Sequence, residues 1–346
     1  MQTIKTALCS FGMSGVVFHA PFLSSHKGFE LYAVWERTKN LAEQKYPSIK
    51  TFRDFDAMLA DENIDLVIVN TPSITHFEYA KKALQAGKHV IVEKPFTPTV
   101  AEADELIKIA EDKQKLLSVF HNRRWDSDFL TVKKILSGNY LGDIKEAEIH
   151  YDRFTPELSY KIHKETATPG VGVVYDLGSH LIDTALQLFG MPSAVFADVM
   201  AMRKDSLVDD YCEIIFFYTN FRVRIKATMF AKEPRGFIIH GTKGSFVKSR
   251  SDVQETQLQA HKNPLDDDYG IEPELEYGLL HTEKNGVFVK EKIPSEPGNY
   301  AGYYQGIYQA IVHGQPLPVT AAEGKNVITI IEKAYQSNKE KKTITI

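Results

Sequence analysis

The stretch Ile4-Lys-Thr-Ala-Leu-Cys-Ser10-Phe-Gly12-Met-Ser-Gly15-Val-Val-Phe-His19 decides the fold. Ile4 to Cys9 is short and mostly apolar, as a strand buried on both faces must be, and the residues after Gly15 open a helix. Two glycines stand between them. Because glycine lacks a Cβ, a pyrophosphate can lie against backbone amides at a helix N-terminus, where the peptide dipoles favour an anion. Strand, glycine turn and helix in that order predict a dinucleotide-binding unit, with Phe11, Gly12, Met13 and Ser14 in the turn. The match to G-x-G-x-x-G is imperfect, since Ser10 takes the place of the first glycine.

A second apolar run, Leu31-Tyr-Ala-Val-Trp35, ends in Glu36-Arg37-Thr38, where an acidic residue commonly meets the adenosine ribose. Glu36 would accept hydrogen bonds from a ribose 2′-hydroxyl and repel a 2′-phosphate. Arg37 and Thr38 would do the reverse, so the sequence leaves NAD or NADP open. The alternation then continues. Asp54 is placed to cap a short helix to Leu59, and Asp65 to Val69 reads as a parallel strand ending in Asn70-Thr71-Pro72. Thr75 and Glu78, and again Thr99 and Glu102, have the spacing of a capping box. His89 to Val92 is a strand running into Glu93-Lys94-Pro95, and Leu116 to Phe120 one running into His121-Asn122-Arg123. In open parallel sheets ligands bind at such carboxyl ends of strands, which marks Thr71, Pro72, His76, Glu93, Lys94, Asn122 and Arg123 as cofactor-side candidates.

Past residue 122 the pattern changes. Gly170-Val-Gly172-Val-Val-Tyr-Asp176-Leu-Gly-Ser-His180-Leu-Ile-Asp183 has helical spacing, with Asp176, His180 and Asp183 on one expected stripe. Runs at 145–153, 194–200, 210–218, 222–230, 236–240 and 244–248 alternate with period two, which predicts one antiparallel sheet under a helical layer. The polar loop 155–169 carries Tyr160, Lys161 and His163 as a potential lid, 252–278 reads as a long loop, and the tyrosine-rich tail 300–313 as a helix. The expected class is α/β: an N-terminal Rossmann parallel sheet over 1–122, and a C-terminal α+β domain over 123–346 with a mostly antiparallel open sheet.

Composition narrows the partners. With 346 residues, 43% hydrophobic and 25% charged, the chain is sized for two globular domains. A net charge of -4 without a basic run argues against nucleic acid, and no apolar stretch is long enough for a membrane span. Met1-Gln-Thr-Ile-Lys lacks a leader pattern, and Cys9 and Cys212 form no disulfide framework, so a cytoplasmic protein is expected. The spacing of Asp176 and His180 would allow a metal, but a catalytic zinc commonly needs a third protein ligand, so no metal is expected.

Glu93-Lys94-Pro95 at a strand end, followed by Gly170-x-Gly172 and Asp176-x-x-x-His180-x-x-Asp183, resembles the Gfo/Idh/MocA family along essentially the whole chain. Phe18-His-Ala-Pro21, Ser118 to Asp126 and Tyr175 to His180 are similar to its branch of NADP-linked scyllo-inositol dehydrogenases, which the acid at Glu36 departs from. The resemblance implies NAD or NADP as cofactor, a small-molecule polyol or sugar as substrate, and a homodimer or homotetramer built on the open sheet face. It implies that Lys94 acts at the reacting hydroxyl and nicotinamide, that Asp176 binds hydroxyls, and that His180 is the general acid/base. Two alternatives stay open on the same fold: a cofactor-binding regulator without catalysis, and a redox-assisted glycosidase.

Overall fold

The computed structural model describes residues 2–346, apart from the side chains of His163 and Lys164; the expected lid residue His163 thus lies outside the described residues. The chain forms two compact units. The first holds Met1–Asn122, Gln254–Tyr269 and Asn299–Lys325; the second holds Arg123–Val253, Gly270–Gly298 and Asn326–Ile346.

In the first unit the strands β1 (Ile4–Leu8), β2 (Phe29–Trp35), β3 (Lys50–Phe52), β4 (Leu66–Val69), β5 (His89–Glu93) and β6 (Leu117–Phe120) lie in the order 3-2-1-4-5-6. Every pairing is parallel. This is the doubly wound order whose chain reversal, between β1 and β4, leaves a crevice at the strand ends. Every residue of β4 and β6 is buried, as helices on both faces require. Where the sequence puts all of 123–346 in a second domain, two segments return here, because their aromatic rings complete this core. Tyr300 and Tyr304 pack on Phe22, at ring-centroid distances of 6.3 Å and 5.2 Å, and Ser118 Oγ meets the Tyr303 hydroxyl at 2.8 Å.

Local signals vary in outcome. The Thr99–Glu102 capping box forms, and Asp54 accepts from the Ala57 amide. The Thr75–Glu78 box does not: Thr75 Oγ1 bonds Thr71 Oγ1 and the Pro72 carbonyl instead, closing a short turn ahead of the helix His76–Gln85.

The second unit is built on β7 (Ile144–His150), β8 (Ala194–Met200), β9 (Tyr211–Phe217), β10 (Arg222–Thr228), β11 (Phe237–Gly241), β12 (Gly244–Lys248), β13 (Gly278–Lys284), β14 (Val287–Ile293) and β15 (Ile344–Thr345). They form one sheet in the order 14-13-12-11-7-10-9-8-15, antiparallel except for β7 beside β10. Burial alternates strictly along β9, so one face is core and the other is half-covered. The hairpin β13–β14 was not anticipated, although Asn285-Gly286 marks its turn, with φ of 53° and 78° as a two-residue type I′ loop needs. The expected loop 252–278 contains the short helix Gln254–Gln259.

One buried ion pair locks this unit. Lys248 at the end of β12 is fully buried, and its ammonium donates to Glu272 Oε2 at 2.8 Å, Ser251 Oγ at 3.0 Å and the Glu276 carbonyl at 2.7 Å. All three ammonium protons are matched, so removing the amine strands the Glu272 carboxylate away from water. Lys248→Met is expected to cost about 3–5 kcal/mol, while Lys248→Met with Glu272→Leu recovers most of it. Denaturant unfolding checks this, and a single variant as stable as the parent contradicts it.

Candidate active site

The first unit gathers its functional side chains at the carboxyl ends of β1, β4 and β5. Ser10 fills the first glycine position without strain because Asn70 locks it. The Ser10 amide donates to Asn70 Oδ1 at 2.9 Å, Asn70 Nδ2 donates to the Ser10 carbonyl at 2.9 Å, and Ser10 Oγ donates to the Asn70 carbonyl at 2.8 Å. The two glycines differ in role. A Cβ on Gly15 would fall 2.6 Å from the Ser10 carbonyl oxygen, so close packing of helix on strand demands glycine there. A Cβ on Gly12 would meet nothing within 4 Å, which leaves its face open to a pyrophosphate. Phe11 is buried against Tyr46, and Met13 is exposed.

Glu93, ending β5, joins this turn to Lys94. Its Oε1 accepts from Ser14 Oγ and faces His19 Nε2 at 3.0 Å, while Oε2 accepts the Lys94 amide at 3.2 Å. His19 in turn reaches the Tyr304 hydroxyl at 2.8 Å, and Tyr304 donates to the Phe18 carbonyl at 2.5 Å. Burial alone would raise the Glu93 carboxyl, but His19, Ser14 and the Lys94 charge together hold it below its usual value. His19 is fully buried and serves Glu93. The Lys94–Pro95 bond is cis.

Two cofactor-side candidates also hold protein groups. His76 is buried with Nδ1 at 2.8 Å from the Pro95 carbonyl and Nε2 at 2.9 Å from the Thr71 carbonyl, so it ties the Thr71-Pro72 and Lys94-Pro95 loops together; burial pulls its pKa below the ordinary value. Glu36 is also buried. Its Oε1 accepts the Leu41 amide and its Oε2 the Ala42 amide, both at 3.1 Å, capping the helix Leu41–Lys45. Arg53 Nη1 donates to the carbonyls of Glu36, at 2.6 Å, and Lys39, at 2.5 Å, which shapes the loop so that Arg37 and Thr38 are exposed.

In the second unit, Asp176 lies in a five-residue π-helical turn, Val174–Gly178, that runs directly into the helix Ser179–Phe189 carrying His180. Wide turns of this kind recur at functional sites. Asp183 is buried in a bidentate pair, with Arg124 Nε at 2.9 Å from Oδ2 and Nη2 at 2.7 Å from Oδ1, and so anchors the helix. Arg123, expected beside the cofactor, is paired within this unit to Asp126 at 3.3 Å, with its guanidinium 5.6 Å from the Tyr151 ring centre. Asn122 is buried just past β6. Tyr151, not singled out from the sequence, lies 6.1 Å from the His180 ring. Burial raises its hydroxyl, but Arg123, Arg250 and Arg153 lower it further, to a net value below the usual one. Asp176 is half-buried and His180 is buried. Among the described residues, no cluster of three or more His, Cys, Asp or Glu is placed to hold a metal ion.

A family model described as "Oxidoreductase family, NAD-binding Rossmann fold" matches residues 4–121, and its partner, "Oxidoreductase family, C-terminal alpha/beta domain", matches 133–346. The chain belongs to the Gfo/Idh/MocA family. It is 40% identical to the Bacillus subtilis scyllo-inositol 2-dehydrogenase (NADP(+)) IolW, over 100% of this chain and 97% of that protein. Among solved structures, a Bacteroides fragilis protein described as an oxidoreductase is 46% identical with a TM-score of 0.92, covering both chains fully. The Bacillus subtilis oxidoreductase YvaA is 40% identical with a TM-score of 0.97, over 100% of this chain and 99% of that one. The family member described here is accordingly an NAD(P)-dependent dehydrogenase of CH–OH groups, taking a small-molecule substrate. Among its described residues, no helix is long and apolar enough to cross a membrane.

The glycine pair yields a test. Gly12→Ala is expected to leave the melting temperature within about 2 °C while weakening NAD(P) binding at least tenfold, and Gly15→Ala to lower the melting temperature by several degrees. Thermal melts with fluorescence titration of the dinucleotide check both. Equal effects of the two variants on stability would overturn the division of roles.

Proposed function

We propose that this dehydrogenase oxidises a ring carbon of a cyclic polyol or sugar with a preference for NADP, scyllo-inositol being the leading single substrate. The observation that supports the cofactor reading is that the Glu36 carboxylate already accepts the Leu41 and Ala42 amides, which leaves it fewer lone pairs for a ribose 2′-hydroxyl. Exposed Arg37 and Thr38 then offer a guanidinium and a hydroxyl to a 2′-phosphate. The full-length similarity to an NADP-linked scyllo-inositol dehydrogenase supports both cofactor and substrate. The turn Phe11–Ser14 would hold the pyrophosphate, with Thr71, Pro72, Glu93 and Lys94 on the nicotinamide side.

The chemistry needs two removals from the carbinol: the hydroxyl proton and the C–H hydride. A bound nicotinamide would supply the hydride acceptor. His180 takes the proton, which an imidazole does with little cost near neutral pH. Asp176 accepts hydrogen bonds from the reacting and adjacent hydroxyls and so fixes which oxygen His180 meets. The Lys94 ammonium offsets the negative charge that grows on that oxygen before the carbonyl is complete. In the reducing direction the same groups return the proton to the new hydroxyl. We further assign a cytoplasmic location and a homodimer or homotetramer joined through the open sheet face, where Phe196, Ile215 and Phe217 are only half-covered.

The purified protein, with NAD and NADP crossed against inositols, sugars and sugar acids, should reduce NADP with scyllo-inositol. Lys94→Ala should lower kcat about 10²–10³-fold in a folded protein. Arg37→Ala should raise the KM for NADP about tenfold or more and leave that for NAD unchanged, the size expected for a lost charge-assisted hydrogen bond. Full turnover by folded Lys94→Ala rejects the catalytic assignment, and an equal loss for both dinucleotides rejects the assignment of Arg37.

A further inference from the structure

The start of the Asp176-bearing turn is held by a residue far away in sequence. Val173 and Val174 open the turn, and their amides have no acceptor within a helix that is only beginning. Asp209 supplies both acceptors: its carbonyl takes the Val173 amide at 2.8 Å, and its Oδ2 takes the Val174 amide at 2.9 Å. The other carboxylate oxygen, Oδ1, accepts from the Tyr335 hydroxyl at 2.7 Å. The Tyr335 ring also stacks on Tyr175, the residue before Asp176, at 5.9 Å and 28°. The approach is so close that a Cβ on Gly172 would fall 2.3 Å from Asp209 Oδ1, and Gly172 has a φ of +108°. The second glycine of Gly170-x-Gly172 thus makes room for Asp209.

We infer that Asp209, oriented by Tyr335, is the positioning residue that sets where Asp176 and His180 stand. This rests on the reading of those two residues as the groups that bind the hydroxyl and take its proton. An N-cap normally comes from the residue beside the helix and fixes only the local backbone. Here the cap comes from the segment just before β9, so the turn is fastened to the sheet as well as closed. Two further contacts of the same stretch point the same way: the Asp176 amide donates to the Gly172 carbonyl at 2.9 Å, and Asp183 is gripped by Arg124 farther along the helix. Asp176 and His180 therefore lie between two fixed points. Burial raises the Asp209 carboxyl above its usual value, against the hydrogen bonds of Tyr335 and Val174. An uncharged acceptor of the same shape should therefore serve nearly as well.

The test compares Asp209→Ala, Asp209→Asn, Tyr335→Phe and His180→Ala in the full chain, with three readouts: kcat on the polyol, dinucleotide affinity, and amide hydrogen exchange over 173–180. Asp209→Ala should lower kcat about 10²-fold, as a displaced reacting group does, with dinucleotide affinity within twofold of the parent. Exchange should rise at least tenfold over 173–180 and stay unchanged in β9 and β10. Asn keeps an oxygen for the Val174 amide and an amino group for the Tyr335 oxygen, so Asp209→Asn should recover kcat to within about tenfold. Tyr335→Phe, which leaves the carboxylate in place, should show a smaller loss of kcat in the same direction and covers the case in which the alanine variant does not fold. Unchanged exchange and kcat in folded Asp209→Ala overturn the inference, as does an asparagine variant no better than alanine. If His180→Ala turns over normally, the underlying reading fails instead; exchange over 173–180 still reports on the clamp itself.

Discussion

The Glu93 carboxylate is the interaction on which the first unit's functional end depends. One side chain accepts from the glycine turn through Ser14, faces the buried His19 and bonds the amide of Lys94. A carboxylate in that position is costly unless its lone pairs are matched, and matching them forces the ends of β1 and β5 into one arrangement. The consequences run outward. The turn that would carry a pyrophosphate and the lysine that would meet the reacting oxygen cannot move independently. Tyr304, from a segment near the chain's end, is drawn in behind His19. His76 adds a second tie by spanning the Thr71 and Pro95 carbonyls.

The second unit follows the same logic with other residues. Asp209 holds the start of the turn that carries Asp176, and Arg124 holds the helix beyond His180 through Asp183. In both units the residues that touch the ligand in our account are few, and each is oriented by a buried polar group that does not. Such groups are retained only when fully paired, and here their pairing specifies geometry.

The sheet order and the two-part architecture were legible because short apolar strands and their glycine and proline boundaries are local signals. Thr99 with Glu102 succeeded for the same reason. What spacing does not carry is the partner each side chain takes. Glu36 stands at the ribose position in sequence, and its contacts with two amides a few residues on are not carried by that spacing. Asp183 has the spacing of a third site residue, but a buried arginine takes its carboxylate. Asn70 and His19 act through partners 60 and 74 residues away, and Asp209 through partners 35 and 126 residues away, and no spacing rule reaches that far. The hairpin at Asn285-Gly286 differs, because its dipeptide was a sufficient signal.

The central claim is that this chain moves hydride directly between a ring carbon and the nicotinamide while its own residues handle the proton. Its most direct test is turnover of scyllo-inositol deuterated at its ring carbons with NADP, followed by mass spectrometry of the reduced dinucleotide. The account predicts one deuterium in each reduced nicotinamide formed, with none acquired from solvent when unlabelled inositol reacts in heavy water. Reduced dinucleotide that carries solvent hydrogen, or no reduced dinucleotide from any cyclic polyol, would contradict it.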